Sequence, residues 1–174
     1  MPIISDITAF YADIASDHQG RLITDIWQFS PQQLEACHDY IQWLFPLDQA
    51  SQFNPKAPLL TQTDLNEFHH SLILKNNLLR SLDTMLEFYG FQREHQQIHH
   101  SENFSQRTAV WLQPGNHNML RISRILKSLR LLGLEQYSEL LFNTLSQLYL
   151  QQPKAIGDSF AYWQRAAGVS SQPA

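Results

Sequence analysis

The sequence predicts an all-α fold: a single compact domain over residues 1–174, with about six to seven helices, a proline-rich connector and one long polar loop. Three observations carry this prediction. Apolar residues recur every three to four positions in one segment after another, the spacing that places them on one face of a helix. No segment shows the two-residue alternation of a half-buried strand. Hydroxyl and amide residues precede the apolar runs, and glycine or proline follows them, which is the order of helix starts and stops.

Ile7, Phe10, Tyr11 and Ile14 recur at helical spacing, with Ser5 or Asp6 placed to cap the start. After a break at Gly20, the residues Leu22, Ile23, Ile26 and Trp27 predict a short second helix with one oily face. Ser30-Pro31-Gln32-Gln33 combines a capping hydroxyl, proline at the first helical position and a glutamine able to reach back. The helix it opens carries Leu34, Cys37, Ile41 and Leu44 on its buried face and stops at Pro46. Pro46, Pro55 and Pro58 mark an ordered connector in which Phe53, Leu59 and Leu60 need burial. Thr61 or Thr63 opens the longest pattern, a stripe of Leu65, Phe68, Leu72, Leu79, Leu82, Leu86 and Tyr89. Lys75-Asn76-Asn77 is a candidate division of that stripe, and Gly90 stands where a left-handed cap is expected.

Residues 93–115 are polar, histidine-rich and aperiodic, and read as a long loop, a kind of segment that is usually functional or mobile. Asn118 caps a helix that runs to Leu132 and ends at Gly133. A further helix carries Tyr137, Leu140, Leu141, Leu145 and Leu148 up to Pro153. A last short one, opened by Asp158 or Ser159, holds Phe160 and Trp163 and ends near Gly168.

Composition narrows the function classes. Charged residues make up 16% of the chain, below the usual quarter, and glutamine, asparagine, serine and histidine take polar positions instead. A net charge of −4 argues against general coating of nucleic acid while leaving room for a local basic patch. Cys37 is the only cysteine, which excludes an intramolecular disulfide and a cysteine-based zinc cage. The start, Met1 to Asp6, has no basic region and no long apolar segment, so it does not read as a signal peptide. No stretch approaches the roughly 20 apolar residues that span a bilayer. A soluble protein of the cytoplasm is the expectation.

Two segments hold the candidate chemistry. On a continuous helix His38 falls within roughly 40° of Leu34, inside the apolar face. Tyr40 and Trp43 flank that face and offer a hydroxyl and an indole N–H. Either these groups form a polar network in the core, or Tyr40, Trp43 and Phe45 build a pocket for an aromatic peptide side chain. In the helix from Asn118, Ile122, Ile125, Leu126 and Leu129 define the buried face. Arg121, Arg124, Lys127 and Arg130 lie on the opposite side. They form either a solvated face with weak ion pairs or an anion site that grips phosphate or carboxylate through paired hydrogen bonds. Four charges fall short of a wide nucleic-acid surface.

Metal and catalysis find little support. Glu35-x-x-His38 and Glu67-x-x-His70 match the spacing of carboxylate-bridged di-iron bundles. Glu67 and His70, however, lie away from the Leu65-Phe68-Leu72 stripe, so no metal and no cofactor is expected. There is no nucleophile elbow, phosphate-cradling glycine loop or zinc-protease signature. Cys37 and His38 are helix neighbours whose side chains diverge by about 100°, too far apart in direction for a nucleophile and its base. A non-enzymatic domain is expected.

Three segments in this order resemble one family. They are His38-Asp39-Tyr40-Ile41-Gln42-Trp43-Leu44-Phe45-Pro46, then Phe88-Tyr89-Gly90, then Asn118 to Leu129 continuing to Leu132-Gly133-Leu134. Asn54-Pro55, Ala57-Pro58-Leu59 and Trp111 add smaller matches. The chain is similar to the conserved region of the opioid growth factor receptor from about Ile26 to Trp163.

The resemblance implies a receptor-like binding domain for a peptide such as Met-enkephalin, with peripheral membrane or nuclear association in vertebrate members. Those members carry long tails beyond this region, and a short form without them suggests a bacterial relative. No catalytic residues follow from the family. The ligand-binding candidates that follow are His38, Tyr40, Gln42, Trp43, Trp111 and Asn118, with a peptide or protein as partner. The alternative is an anion- or nucleic-acid-binding regulatory domain using Arg121, Arg124, Lys127 and Arg130.

Overall fold

A computed structural model describes residues 4–170. Among them the chain forms eleven helices and one two-stranded antiparallel sheet. The helices are α1 (Asp6–Tyr11), α2 (Ile23–Trp27), α3 (Pro31–Ala36), α4 (Ile41–Leu44), α5 (Gln62–His70) and α6 (Leu72–Tyr89). After the strands β1 (Phe91–Glu94) and β2 (Gln97–His100) come α7 (Phe104–Trp111), α8 (Asn118–Leu131) and α9 (Glu135–Gln151). The short α10 (Pro153–Ile156) and α11 (Ser159–Ala167) complete the series. The chain groups into two compact units, Met1–Thr84 and Met85–Ala174.

The fold is mostly helical rather than all-α, and it has more and shorter helices than the periodicity predicts. One cause is local. The pattern through Leu34 and Leu44 is broken at Cys37, whose backbone is extended (φ −85°, ψ 134°). The segment is therefore two helices, α3 and α4, and the helix wheel that placed His38 in the core does not apply. His38 is exposed. The longest stripe divides at Ser71, also extended (φ −106°, ψ 113°), rather than at Lys75-Asn76-Asn77. Leu72 consequently leaves the core and is 73% exposed, and Leu74, Leu78, Leu82 and Met85 take the buried face.

Capping follows the sequence closely where it is local. Ser5 Oγ accepts the Thr8 N–H at 3.1 Å, and Ser30 and Gln33 close a reciprocal capping box. Thr61 and Asp64 form a second box, and Asp64 is buried while also accepting from Ser5 and Thr8. Asn118 is the first residue of α8 rather than its cap, which is His117, and its N–H donates to Asn116 Oδ1 at 2.9 Å. Gly168 ends α11 in the left-handed conformation (φ 71°).

Several expected core residues stay outside. Ile14, Phe53 and Leu59 are exposed, while Leu60 alone of the connector's three is buried. The connector is pinned instead by the Leu60 N–H bond to Leu47 C=O at 2.9 Å.

The core of the first unit is aromatic. Phe10 packs edge-on to Tyr11 and Trp43, and Tyr11 to Phe68. The Tyr11 hydroxyl donates to Leu44 C=O and bonds Ser81 at 3.0 Å, and Ser81 Oγ also accepts Trp27 Nε1–H at 2.9 Å.

In the second unit α8, α9 and α11 pack on one another around Ile122, Leu126, Leu129, Leu141, Leu145 and Trp163. The expected long loop is largely structured. It forms the β1–β2 hairpin through a two-residue turn at His95 (φ 56°) and Gln96, then α7. Four-residue strands with mostly polar side chains on both faces leave no alternation to read, because only Phe91 is buried.

Candidate functional site

The loop between α1 and α2 is built around a buried carboxylate. Asp17 Oδ1 accepts the backbone N–H groups of Gln19 and Arg21, each at 2.9 Å. Gly20 (φ 78°) supplies the left-handed turn between them. The Arg21 side chain folds back on the same carboxylate, with Nε donating to Asp17 Oδ2 at 2.7 Å. Its Nη1 reaches Asp39 Oδ1, in the extended segment between α3 and α4, at 3.0 Å. Burial by itself would lower the pKa of the Arg21 guanidinium. Its hydrogen bonds to Asp17 and Asp39 outweigh that and raise it.

Trp43 joins the same region from α4. Its Nε1–H donates to His18 Nδ1 at 2.8 Å, and the two rings meet edge to edge with their planes only 14° apart. His18 Nε2 lies 3.9 Å from Asp39 Oδ2. Nδ1 is thus the accepting nitrogen, and Nε2 is the one turned toward Asp39.

Gln19, Arg21, Cys37, His38 and Asp39 line an open cleft of about 560 Å³. Its fixed charges are one guanidinium held between two carboxylates. Asp17 is fully buried behind the guanidinium, whereas the Asp39 side chain is 38% exposed at the mouth.

The ligand candidates read from the sequence separate into two groups. His38 lines the cleft. Tyr40, Gln42 and Trp43 are buried. The Tyr40 hydroxyl donates to Leu34 C=O at 2.7 Å, and Gln42 bridges His38 C=O and Asn54 Nδ2. Tyr40, Trp43 and Phe45 are thus packed core, and the polar-network reading of this segment describes them better than an open aromatic pocket.

Trp111 and Asn118 belong to the second unit and are both fully buried. Trp111 Nε1–H donates to Tyr89 C=O at 2.9 Å and its ring meets Tyr89 edge-on. Asn118 Nδ2 donates to Asn116 Oδ1 at 3.0 Å.

The basic helix face is less open than its spacing predicts. Arg121 is 6% exposed, with Nη1 3.4 Å from Asn118 Oδ1. Burial lowers the Arg124 guanidinium to about 10. Arg130 Nε donates to Ala166 C=O at 3.0 Å, capping α11. Arg124, Lys127 and Arg130 are each half-buried. On the helix wheel Arg121 lies only about 40° from Ile125, at the edge of the buried face rather than opposite it, and there it is buried.

Glu67 and His70 are exposed, and His70 Nδ1 is 2.8 Å from Asn66 C=O. Among the described residues no group of three or more histidine, cysteine, aspartate or glutamate side chains could hold a metal ion. Among the described residues no helix is long and apolar enough to cross a membrane.

Sequence reasoning missed Asp17, His18 and Arg21. The Asp17-x-x-Gly20-Arg21 spacing, an acid followed by a turn glycine and a base, was the available signal.

Mostly helical units, the first carrying the buried Trp43 segment beside a small charged cleft, define the class of fold. The particular family is clear from comparison: the opioid growth factor receptor (OGFr) conserved region matches residues 7–166, and the chain belongs to that family. It is 40% identical over 136 residues to the opioid growth factor receptor of Rattus norvegicus, covering 74% of this chain and 23% of that protein. It is 39% identical over 124 residues to the Homo sapiens receptor, covering 68% and 18%. It is 34% identical over 133 residues to opioid growth factor receptor-like protein 1 of Xenopus tropicalis, covering 75% and 25%. The chain thus spans a quarter or less of the length of these relatives. No solved structure matches it.

Proposed function

We propose that this chain is a non-catalytic binding domain that takes a short, unblocked peptide at the cleft between the Asp17 loop and the α3–α4 segment. The observation that carries this reading is the Asp39 carboxylate, pinned by Arg21 yet exposed at the cleft mouth beside His38. A free peptide carries an ammonium at its N-terminus. Asp39 offers it a carboxylate whose position is already set, so little ordering entropy is lost on binding. Family membership supports a ligand of this kind, since the relatives are named as receptors for a growth factor. Arg21 and Asp39 are engaged with one another rather than poised as acid and base, which favours recognition over catalysis.

Met-enkephalin is the first probe. Calorimetric titration should give micromolar or tighter binding, at least tenfold weaker for a scrambled pentapeptide and for the N-acetylated peptide. Asp39→Asn should weaken binding about tenfold, the loss expected for one charge-assisted hydrogen bond. Equal heats from the true and scrambled sequences would sink the reading.

A further inference from the structure

The β1–β2 hairpin leaves one strand edge open, and that edge faces a built groove. The Ser101 N–H bond to Gly90 C=O, at 2.9 Å, sets the parity of the ladder. With partners Gln92↔His99 and Glu94↔Gln97, every second pair exchanges hydrogen bonds, so Arg93↔Ile98 and Phe91↔His100 are the non-bonded pairs. The backbone N–H and C=O of Ile98 and His100 therefore point away from β1. No hydrogen bond is made by those outward groups among the described residues.

A groove of about 430 Å³ runs along this edge. All four β2 residues line it and no β1 residue does, as expected beside the outer edge, where residues of both faces of the strand are reached. Its far wall is α9, presenting Asn143, Gln147 and Gln151 together with Leu140, Thr144 and Leu148. From Leu140 to Gln151 that wall is about 16 Å long at 1.5 Å per residue. An extended chain of about five residues, at roughly 3.3 Å each, spans the same distance.

We propose that this groove accepts an extended, uncharged segment of a partner polypeptide, added as a third strand on β2. The composition of the lining selects this occupant. Apart from His99 and His100 the groove contains no ionisable side chain, so a charged side chain entering it would lose water without gaining a fixed counter-ion. Carboxamides on α9 both donate and accept, which suits the peptide groups and the amide or hydroxyl side chains of a neutral strand. The main-chain bonds to Ile98 and His100 supply affinity, and the α9 wall selects side chains, as in other strand-addition sites. This groove lies wholly in the second unit and is separate from the Asp39 cleft.

The test uses the full chain and a blocked octapeptide of threonine, glutamine and valine, acetylated and amidated at its ends. Lysine-bearing and aspartate-bearing versions, and one methylated at alternate backbone nitrogens, complete the set. Titration followed by amide NMR should show sub-millimolar binding of the neutral peptide, with the Ile98 and His100 amides shifted and protected from exchange. The lysine, aspartate and N-methylated versions should bind at least tenfold more weakly.

Ile98→Pro removes an outward N–H together with the isoleucine side chain, so the β1–β2 ladder survives while binding falls at least tenfold. Ile98→Ala, which keeps the N–H, should lose far less. The double change Asn143→Ala with Gln147→Ala leaves the hairpin untouched and should weaken binding severalfold. Unchanged Ile98 and His100 amides at millimolar peptide, equal binding of the N-methylated version, or a preference for a charged version would each overturn the proposal.

Discussion

The Trp43 indole N–H is bonded to His18 Nδ1 at 2.8 Å, and this single contact ties the short helix α4 to the Asp17 loop that forms one wall of the cleft. Trp43 is 6% exposed and packs edge-on to Phe10, so its ring acts in the core while its nitrogen acts on the loop. Trp43→Phe keeps most of the packing and loses the hydrogen bond, and is expected to cost about 1 kcal/mol. Trp43→Ala removes both and is expected to cost about 3–5 kcal/mol. Urea denaturation of the two variants checks the difference. Similar losses for both would mean that the hydrogen bond, not the ring, carries the stability.

Gly90 joins α6 to β1 with φ +99°, a conformation that L side chains rarely adopt. A Cβ there would meet Phe104 Cα at 3.0 Å and the Phe104 carbonyl oxygen at 3.2 Å, both backbone atoms that cannot swing aside. Gly90→Ala should therefore cost about 2 kcal/mol or more, combining the left-handed strain with a displaced α7. Gly115→Ala is the control, since it has positive φ and open space around it. Its cost should be only about 1 kcal/mol. Equal midpoints for the two variants in thermal unfolding would refute the close-approach argument.

Asp64 is buried at the start of α5, accepting from the Thr61 N–H at 2.8 Å and from the hydroxyls of Thr61, Ser5 and Thr8. One carboxylate thus caps α5 and ties it to α1. Asp64→Ala leaves those donors without their acceptor in a buried setting and should destabilise by about 2–3 kcal/mol. Asp64→Asn retains one acceptor oxygen and should cost less. Hydrogen exchange at the start of α5 should rise in both, and an unchanged rate in the alanine variant would count against this role.

Burial pushes the Tyr11 hydroxyl well above its ordinary value of 10.0, with the Ser81 hydrogen bond offsetting part of the rise. The folded form therefore holds this proton more tightly than the unfolded form. Its contribution to stability is complete below about pH 10 and declines as the pH rises above the unfolded value. Alkaline unfolding should follow, steeper in the native chain than in Tyr11→Phe when the two are compared between pH 9 and 11.5. Tyr11→Phe lowers stability at pH 7 through the lost bonds to Leu44 and Ser81, yet should flatten the alkaline slope. A parallel slope would show that Tyr11 ionises freely in the folded state.

The family was legible in contiguous residues, because the segments around Trp43, Tyr89 and Arg121 lie in unbroken runs. The helical class, the capping box at Ser30 and the glycine ends at Gly90, Gly133 and Gly168 were legible for the same reason, since each depends on residues within a turn or two. What tertiary structure decided is the fate of positions where local signals tie. The Leu34–Leu44 pattern suits one helix, yet the chain turns out at Cys37, where Asp39 meets Arg21 and Tyr40 reaches back to Leu34. Arg121 belongs to a run of basic residues along α8, yet it lies at the edge of the buried face and is buried beside Asn118. The hairpin at residues 91–100 exists without alternation because its strands bury little beyond Phe91. The cleft joins residues 17 to 39, and pairing across that separation depends on loop closure and packing, which no periodicity of three or four residues records.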